Sequence, residues 1–275
     1  VRHARGGSVT ARYLERIGVR ESPRATCPFD PGYDLATLEG HMEQSGHLLG
    51  TMKISMACWM VADESVSRRK IEAVTKQGIP AVAGGGPFEV AVAQGALPEY
   101  LDLCADMGIT RIECGEGFTE LDLKPDAIAK QAGQRGLEVE FELGEKHGGR
   151  FTDEATRELI EEGKRWLHAG AVRLVVEARE SAEDVGLFSA PGEFDARQAD
   201  RLAEAFGLEQ LLFEAPNKSS QFALIDHFGP TVQLGNVRLE EVLRVEIYRR
   251  GLHSDAFRRS NLRPAKPADA ADAAA

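Results

Sequence analysis

The chain has 275 residues, 43% of them apolar and 28% charged, which is enough to bury a large core and is the usual length of one α/β barrel. Its 33 Lys and Arg against 44 Asp and Glu leave a formal charge of −11, which argues against nucleic acid or an anionic membrane surface as the main partner. Cys27, Cys58, Cys104 and Cys114 form no C-x-x-C pair, so a zinc cage or dithiol motif is not expected and a reducing cytoplasm is.

Residues 1–24 read as an N-terminal extension: they lack the apolar stretch of a signal peptide, and no later run approaches the ~20 apolar residues of a membrane span. A short, weakly strand-like segment follows at 25–29. From about residue 33, strand-length apolar runs alternate with helical periodicity, the pattern of βαβ units with parallel strands. Helices are predicted at 34–45, 63–77, 97–107, 124–135 and 153–169, each leading to a strand, at 48–54, 79–83, 110–114, 137–141 and 172–176. Gly78, Gly108, Gly136 and Gly170 stand just before strands, where a positive φ ends a helix.

A longer polar loop, 179–194, has the length of a lid. After it come a helix at 196–206, a strand at 211–213, a further helix, a strand at 232–234 and a helix at 239–249. Eight alternating pairs predict a single-domain (β/α)8 TIM-type barrel over 25–258. Residues 259–275 are rich in Ala, Pro and Asp and are expected to form a disordered tail.

Three apolar strands end in carboxylates, Glu142, Glu177 and Glu214, each followed within four residues by a cation: Lys146, Arg179 and Lys218. In a parallel barrel the C-terminal strand ends share one mouth, so the recurrence suits a metal ion and an anionic substrate. Carboxylates at strand ends hold Mg²⁺ through hard oxygens, with Asp30 and Glu116 as further candidates; ion pairs along the barrel rim account for the same pattern. Lys53 lies within an apolar strand, where an ammonium needs a polar mouth or an escape to the rim. The glycines after the third strand, Gly85 and Gly86 among them, offer backbone N–H groups to an anion, or simply make a tight turn. Arg179 can clamp a planar oxyanion, and Asn236 follows the last predicted strand.

Phe213-Glu214-Ala215-Pro216-Asn217-Lys218-Ser219, Glu177-Ala178-Arg179-Glu180-Ser181 with Val185-Gly186-Leu187-Phe188, and Leu234-Gly235-Asn236-Val237 with Arg249-Arg250-Gly251-Leu252 together resemble the phosphosulfolactate synthase family. The similarity runs from about Asp30 to Phe257. It implies a homo-oligomeric (β/α)8 lyase in which Mg²⁺ assists addition of sulfite to phosphoenolpyruvate. By position Glu142, Glu177 and Glu214 match family carboxylates, and Lys53, Arg179 and Lys218 match family cations. Lys146 is the expected general acid, with Lys53 in reserve.

The chain departs from the family pattern at several points. Asp30-Pro31-Gly32 replaces Asp-Lys-Gly, Ile54-Ser55-Met56-Ala57-Cys58-Trp59 replaces a Gly-rich segment, Gly115-Glu116-Gly117 replaces Ser-Asp-Gly, and Glu145 replaces the first of two adjacent lysines. An acidic residue at a mouth built for two anions costs affinity, so a changed substrate or nucleophile is expected. The alternative is a non-catalytic, stress-associated or interaction barrel.

Overall fold

A computed structural model describes residues 8–19, 21–119 and 121–262. Eight parallel strands close into a barrel in sequence order: β1 (Thr26–Asp30), β2 (Met52–Ile54), β3 (Ala81–Ala83), β4 (Arg111–Cys114), β5 (Glu138–Leu143), β6 (Arg173–Val176), β7 (Leu211–Glu214) and β8 (Gln233–Arg238). After the exposed α1 (Val9–Arg16) the outer layer runs through α2 (Leu35–Ser45), α3 (Cys58–Val61), α4 (Glu64–Thr75), α5 (Gly85–Ala93), α6 (Leu97–Met107) and α7 (Pro125–Gly133). It is completed by α8 (Asp153–Ala169), α9 (Ala196–Phe206), α10 (Lys218–Phe228) and α11 (Val242–Arg249). The predicted barrel is therefore the observed fold. No helix among the described residues is long and apolar enough to cross a membrane.

Helices start where a side-chain oxygen receives a free backbone N–H: Asp34 from Thr37, Asp63 from Val66, Thr152 from Ala155 and Asp195 from Gln198. Gly170 ends α8 at φ 108°, a conformation that a Cβ disfavours. The strand expected to be weakest, β1, is fully buried and joins β2 to β8. Its register on β8 shifts between Thr26 and Pro28, because Pro28 has no N–H to give the ladder.

Strand alternation sorts side chains between two cores. Phe141 of β5 faces outward and stacks on Trp166 of α8, ring centroids 4.4 Å apart. Its neighbours Glu140 and Glu142 therefore point into the barrel. Inside, Cys27, Val175 and Leu212 form a small apolar plug, separate from the large core between strands and helices. On one side of the plug Arg173 bridges the barrel, 2.8 Å from Glu140 and 3.0 Å from Thr51 Oγ1, with its third nitrogen toward Cys27 Sγ at 3.7 Å. The other side opens at the C-terminal strand ends.

Sequence expectations and structure part company at the end of the chain. Leu262 is 5% exposed and belongs to the main core, and Arg259 pairs with Asp226 at 2.9 Å, so ordered chain continues beyond 258. The rest of the expected tail, 263–275, lies outside the described residues.

Candidate active site

The barrel mouth is built from alternating strand-end charges. Lys53 of β2 reaches across it, its Nζ 2.7 Å from Glu113 Oε2 on β4 and 3.1 Å from Glu214 Oε1 on β7. Lys146, four residues beyond Glu142 of β5, places its Nζ 2.9 Å from both Glu142 Oε1 and Glu177 Oε2. Glu177 follows β6 and hydrogen-bonds Glu214, whose Oε2 accepts the Ala178 N–H at 3.1 Å. Four carboxylates and two ammonium groups thus form one continuous, nearly dry network.

Burial opposes a charged Lys53, yet Glu113 and Glu214 outweigh it and hold its pKa well above the ordinary lysine value. Lys146 is raised in the same way by Glu142 and Glu177. Burial, reinforced by the Glu177 charge, pushes Glu142 well up and lifts Glu214 to about 8. Glu177 resists its own burial and falls to about 2, held by Lys146 and by the proton it accepts from Glu214. At neutral pH the Glu177–Glu214 pair shares a proton, because two buried like charges in contact do not both ionise.

One oxygen from each of Glu113, Glu142 and Glu214 lies within 4.8 Å of the others, a hard oxygen donor set that fits a divalent cation of the Mg²⁺ type. The Lys53 ammonium, already drawn to two of the three, marks where positive charge is wanted. Glu177 is committed to Lys146 rather than to this group. Asp30 and Glu116 stand elsewhere: Asp30 accepts the N–H groups of Gly32 and Tyr33 and pairs with Lys70, while Glu116 accepts the Leu121 N–H. A turn cap and a loop tie use these carboxylates locally.

A cavity of about 980 Å³ opens over the network, and Arg179 and Asn236 line it. Arg179 (φ 57°), Asn236 (φ 51°) and Met56 (φ 48°) are left-handed residues, and all three face this cavity. Strain in non-glycine residues collected at one mouth is typical of functional sites. Among the described residues the exposed Arg179 guanidinium has no hydrogen bond or ion pair, so it remains available to an anion. Asn236 was expected after the last strand, but β8 runs to Arg238 and contains it.

Gly85 and Gly86 also line the cavity at the start of α5, but the Gly85 N–H already donates to Glu113 Oε1 at 3.0 Å. The expected anion nest is thus partly filled by the protein's own carboxylate. Lys218 does not line the cavity. Asn217 caps α10 through Ser220, and Lys218 pairs with Asp255 at 2.9 Å above the Phe222 ring. Glu145 is exposed and outside the lining too, so its negative charge falls in solvent rather than in the mouth as the sequence suggested.

Two residues of the site escaped sequence reasoning. Glu113 sits inside the apolar strand Arg111–Cys114, the same signal that singled out Lys53. Glu89, 1% exposed on α5, accepts the N–H groups of Phe118 and Thr119 at 3.1 Å and the Thr119 hydroxyl at 2.6 Å. Its other oxygen has no partner among the described residues. A Cβ on Gly117 would stand 2.7 Å from Glu142 Oε1, 2.9 Å from Lys146 Nζ and 3.3 Å from Glu89 Oε1, so any larger residue here would displace the side-chain ends of the ion pair. The Gly117 carbonyl in turn accepts the Lys146 N–H at 2.7 Å.

Barrel and mouth together define a (β/α)8 enzyme-type scaffold with a carboxylate–lysine centre at the C-terminal strand ends. Solved structures agree on the fold alone. A 3-dehydroquinate dehydratase from Geobacillus kaustophilus aligns with 82% of this chain and 91% of its own at a TM-score of 0.52 and 10% identity. A Pyrococcus furiosus tryptophan synthase α2β2 complex chain aligns with 88% and 99% at 0.52 and 9%. More specifically, the chain belongs to the (2R)-phospho-3-sulfolactate synthase (ComA) family, which it matches over residues 20–255. Phosphosulfolactate synthase from Methanocaldococcus jannaschii is 31% identical over 233 residues, covering 84% of this chain and 93% of that protein. The Bacillus subtilis protein of the same name is 27% identical, covering 83% and 90%.

Proposed function

We propose that the protein is a Mg²⁺-dependent lyase of the carbon–sulfur bond-forming type, which adds sulfite, or a closely related nucleophile, to phosphoenolpyruvate or a similar small anionic acid. The observation carrying this reading is the convergence of Glu113, Glu142 and Glu214 with Lys53 and Lys146 under one cavity, in a chain of this family. We further propose a cytoplasmic homo-oligomer.

Sulfur's lone pair forms the new bond to the terminal methylene carbon, and the π electrons of the double bond move toward the carbon next to the carboxylate. Glu113, Glu142 and Glu214 would hold a Mg²⁺ ion, which would supply Lewis-acid stabilisation of enolate-like charge. Lys53 adds fixed positive charge in a low-dielectric setting. Lys146 delivers its Nζ proton to that carbon; its side chain is 33% exposed against 12% for Lys53, so it recovers a proton from solvent more readily. Arg179 grips the phosphate or carboxylate, with Asn236 beside it.

The test is incubation with MgCl₂, sulfite and phosphoenolpyruvate, followed by ³¹P NMR. The wild type is expected to form a phosphosulfolactate signal. Glu214→Gln and Lys146→Met are expected to lose it by at least a hundredfold while keeping their circular dichroism. Absence of product, with no binding of either anion by calorimetry, overturns the reading.

A further inference from the structure

The cavity has two ends of opposite character. One is the charged network with Arg179 above it. The other is a lobe between α3, α5, α6 and the loop after β4, walled by Met56, Met60, Val90, Leu103 and Phe118. These side chains are 49, 46, 52, 36 and 47% exposed, so among the described residues five large apolar groups line a common space while staying open to solvent. Single exposed apolar residues are ordinary on a protein surface, whereas a contiguous group opening into a site marks a ligand surface.

Two observations point to a small molecule as the occupant. The lobe is continuous with the charged mouth rather than a separate face, and the whole cavity, about 980 Å³, is at the upper end of the ~300–1,000 Å³ that encloses drug-sized ligands. A three-carbon acid fills a small part of that. Met56, a wall of the lobe, also adopts a left-handed backbone at φ 48°, a conformation disfavoured for a residue with a Cβ. Charge is equally asymmetric. Lys53, Lys146 and Arg179 stand at the mouth, while the polar side chains lining the cavity along α5 and α6 are Gln94, the exposed Glu99 and the buried Tyr100, which offer no cation to a second anionic group.

We propose that the site accepts an amphiphilic acid, with its anionic head at Arg179 and the lysines and a linear apolar tail of several carbons in the lobe. The inference rests on the reading of the mouth as an anion site and extends the ligands it takes to acids bearing an apolar substituent.

The test is calorimetric titration of the protein, in MgCl₂, with straight-chain carboxylates from acetate to octanoate, alongside phosphoenolpyruvate. Affinity is expected to rise about two- to fourfold per methylene until the lobe is full. Arg179→Ala should weaken every acid by a similar factor. Met60→Glu and Leu103→Glu, on different helices and both on partly exposed side chains, should flatten the dependence on chain length; circular dichroism checks their folding. Flat affinity across the series while phosphoenolpyruvate binds overturns the proposal and leaves the function standing. A chain-length dependence that survives both glutamate variants overturns it as well, since the tails then lie elsewhere. Flat affinity together with self-association that Met60→Glu abolishes in sedimentation overturns it in favour of an interface between copies. Chain-length dependence without product from sulfite and phosphoenolpyruvate supports the lobe and sinks the proposed reaction alone.

Discussion

Lys53 and Lys146 each sit between two carboxylates, and three of the four carboxylates accept a backbone N–H, Glu113 from Gly85, Glu177 from Arg179 and Glu214 from Ala178, so the charges are positioned before any ligand arrives. Glu89 extends this positioning outward. It holds the Phe118 and Thr119 N–H groups, and the adjoining Gly117 carbonyl holds the Lys146 backbone. Glu89→Ala is expected to cost about 2–3 kcal/mol in urea unfolding, the scale of hydrogen bonds to a buried charge, and to speed amide exchange at Phe118 and Thr119. Activity should fall with it and return in part with Glu89→Gln, which keeps an accepting oxygen; unchanged exchange at those two amides would refute the role. At this scale Glu142, Glu177 and Glu214 were legible because a carboxylate ending an apolar strand is conspicuous. Glu113 was equally conspicuous in kind but lay one turn of the pattern earlier than Glu116, which drew attention as the strand-end acid. Lys218 misled because spacing counts residues, whereas the Asn217 cap turns the next side chain outward.

Among the elements, the 179–194 connection departs most from expectation. Its length and polarity suit a lid, yet Ala182, Val185, Leu187 and Phe188 are each no more than 2% exposed, and the Phe151 N–H donates to the Gly186 carbonyl at 2.8 Å. Phe188 packs against Phe194 with centroids 5.9 Å apart. The segment is a wall anchored in the core, with only its first residues, Arg179 to Ser181, lining the cavity. Phe188→Ala is therefore expected to lower stability by about 3–5 kcal/mol in urea unfolding, the cost of a buried aromatic truncation, where a mobile lid residue would cost under 0.5 kcal/mol. The alternation of strands and helices was readable because apolar period and glycine punctuation agree with each other over most of the chain. This segment was not, since its buried residues follow no period and acquire their places only from contacts distant in sequence. β1 was underrated for a related reason: Pro28 lowers local strand propensity, and closure against β8 overrides it.

For the whole molecule the proton shared at Glu214 links folding, metal and pH. Its folded pKa, about 8, lies above the ordinary glutamate value of 4.5, so the metal-free native state binds the proton more tightly than the unfolded chain. That contribution to stability is complete below about pH 4.5 and is lost as pH rises through 8. Glu177, lowered to about 2, behaves oppositely, its contribution being present above 4.5 and lost only as pH falls through 2. Across pH 6–9 the Glu214 proton alone accounts for a loss on the order of 3 kcal/mol in the metal-free protein, and Glu142, also pushed well up by burial, adds to the decline in the same direction. The divalent cation proposed for Glu113, Glu142 and Glu214 would compete with these protons, so its affinity is expected to rise over the same interval. Scanning calorimetry with and without 10 mM MgCl₂ should show a Tm increase of about 5–10 °C at pH 9, the scale for a ligand at about 100 times its Kd on a chain of this size, and a much smaller one at pH 6. Glu214→Gln, neutral at every pH, should reduce both the metal-free decline and the pH dependence of the metal effect, Glu142 keeping its own share. An equal Mg²⁺ shift at pH 6 and pH 9 would show that the cation binds without displacing the proton, and so away from Glu214.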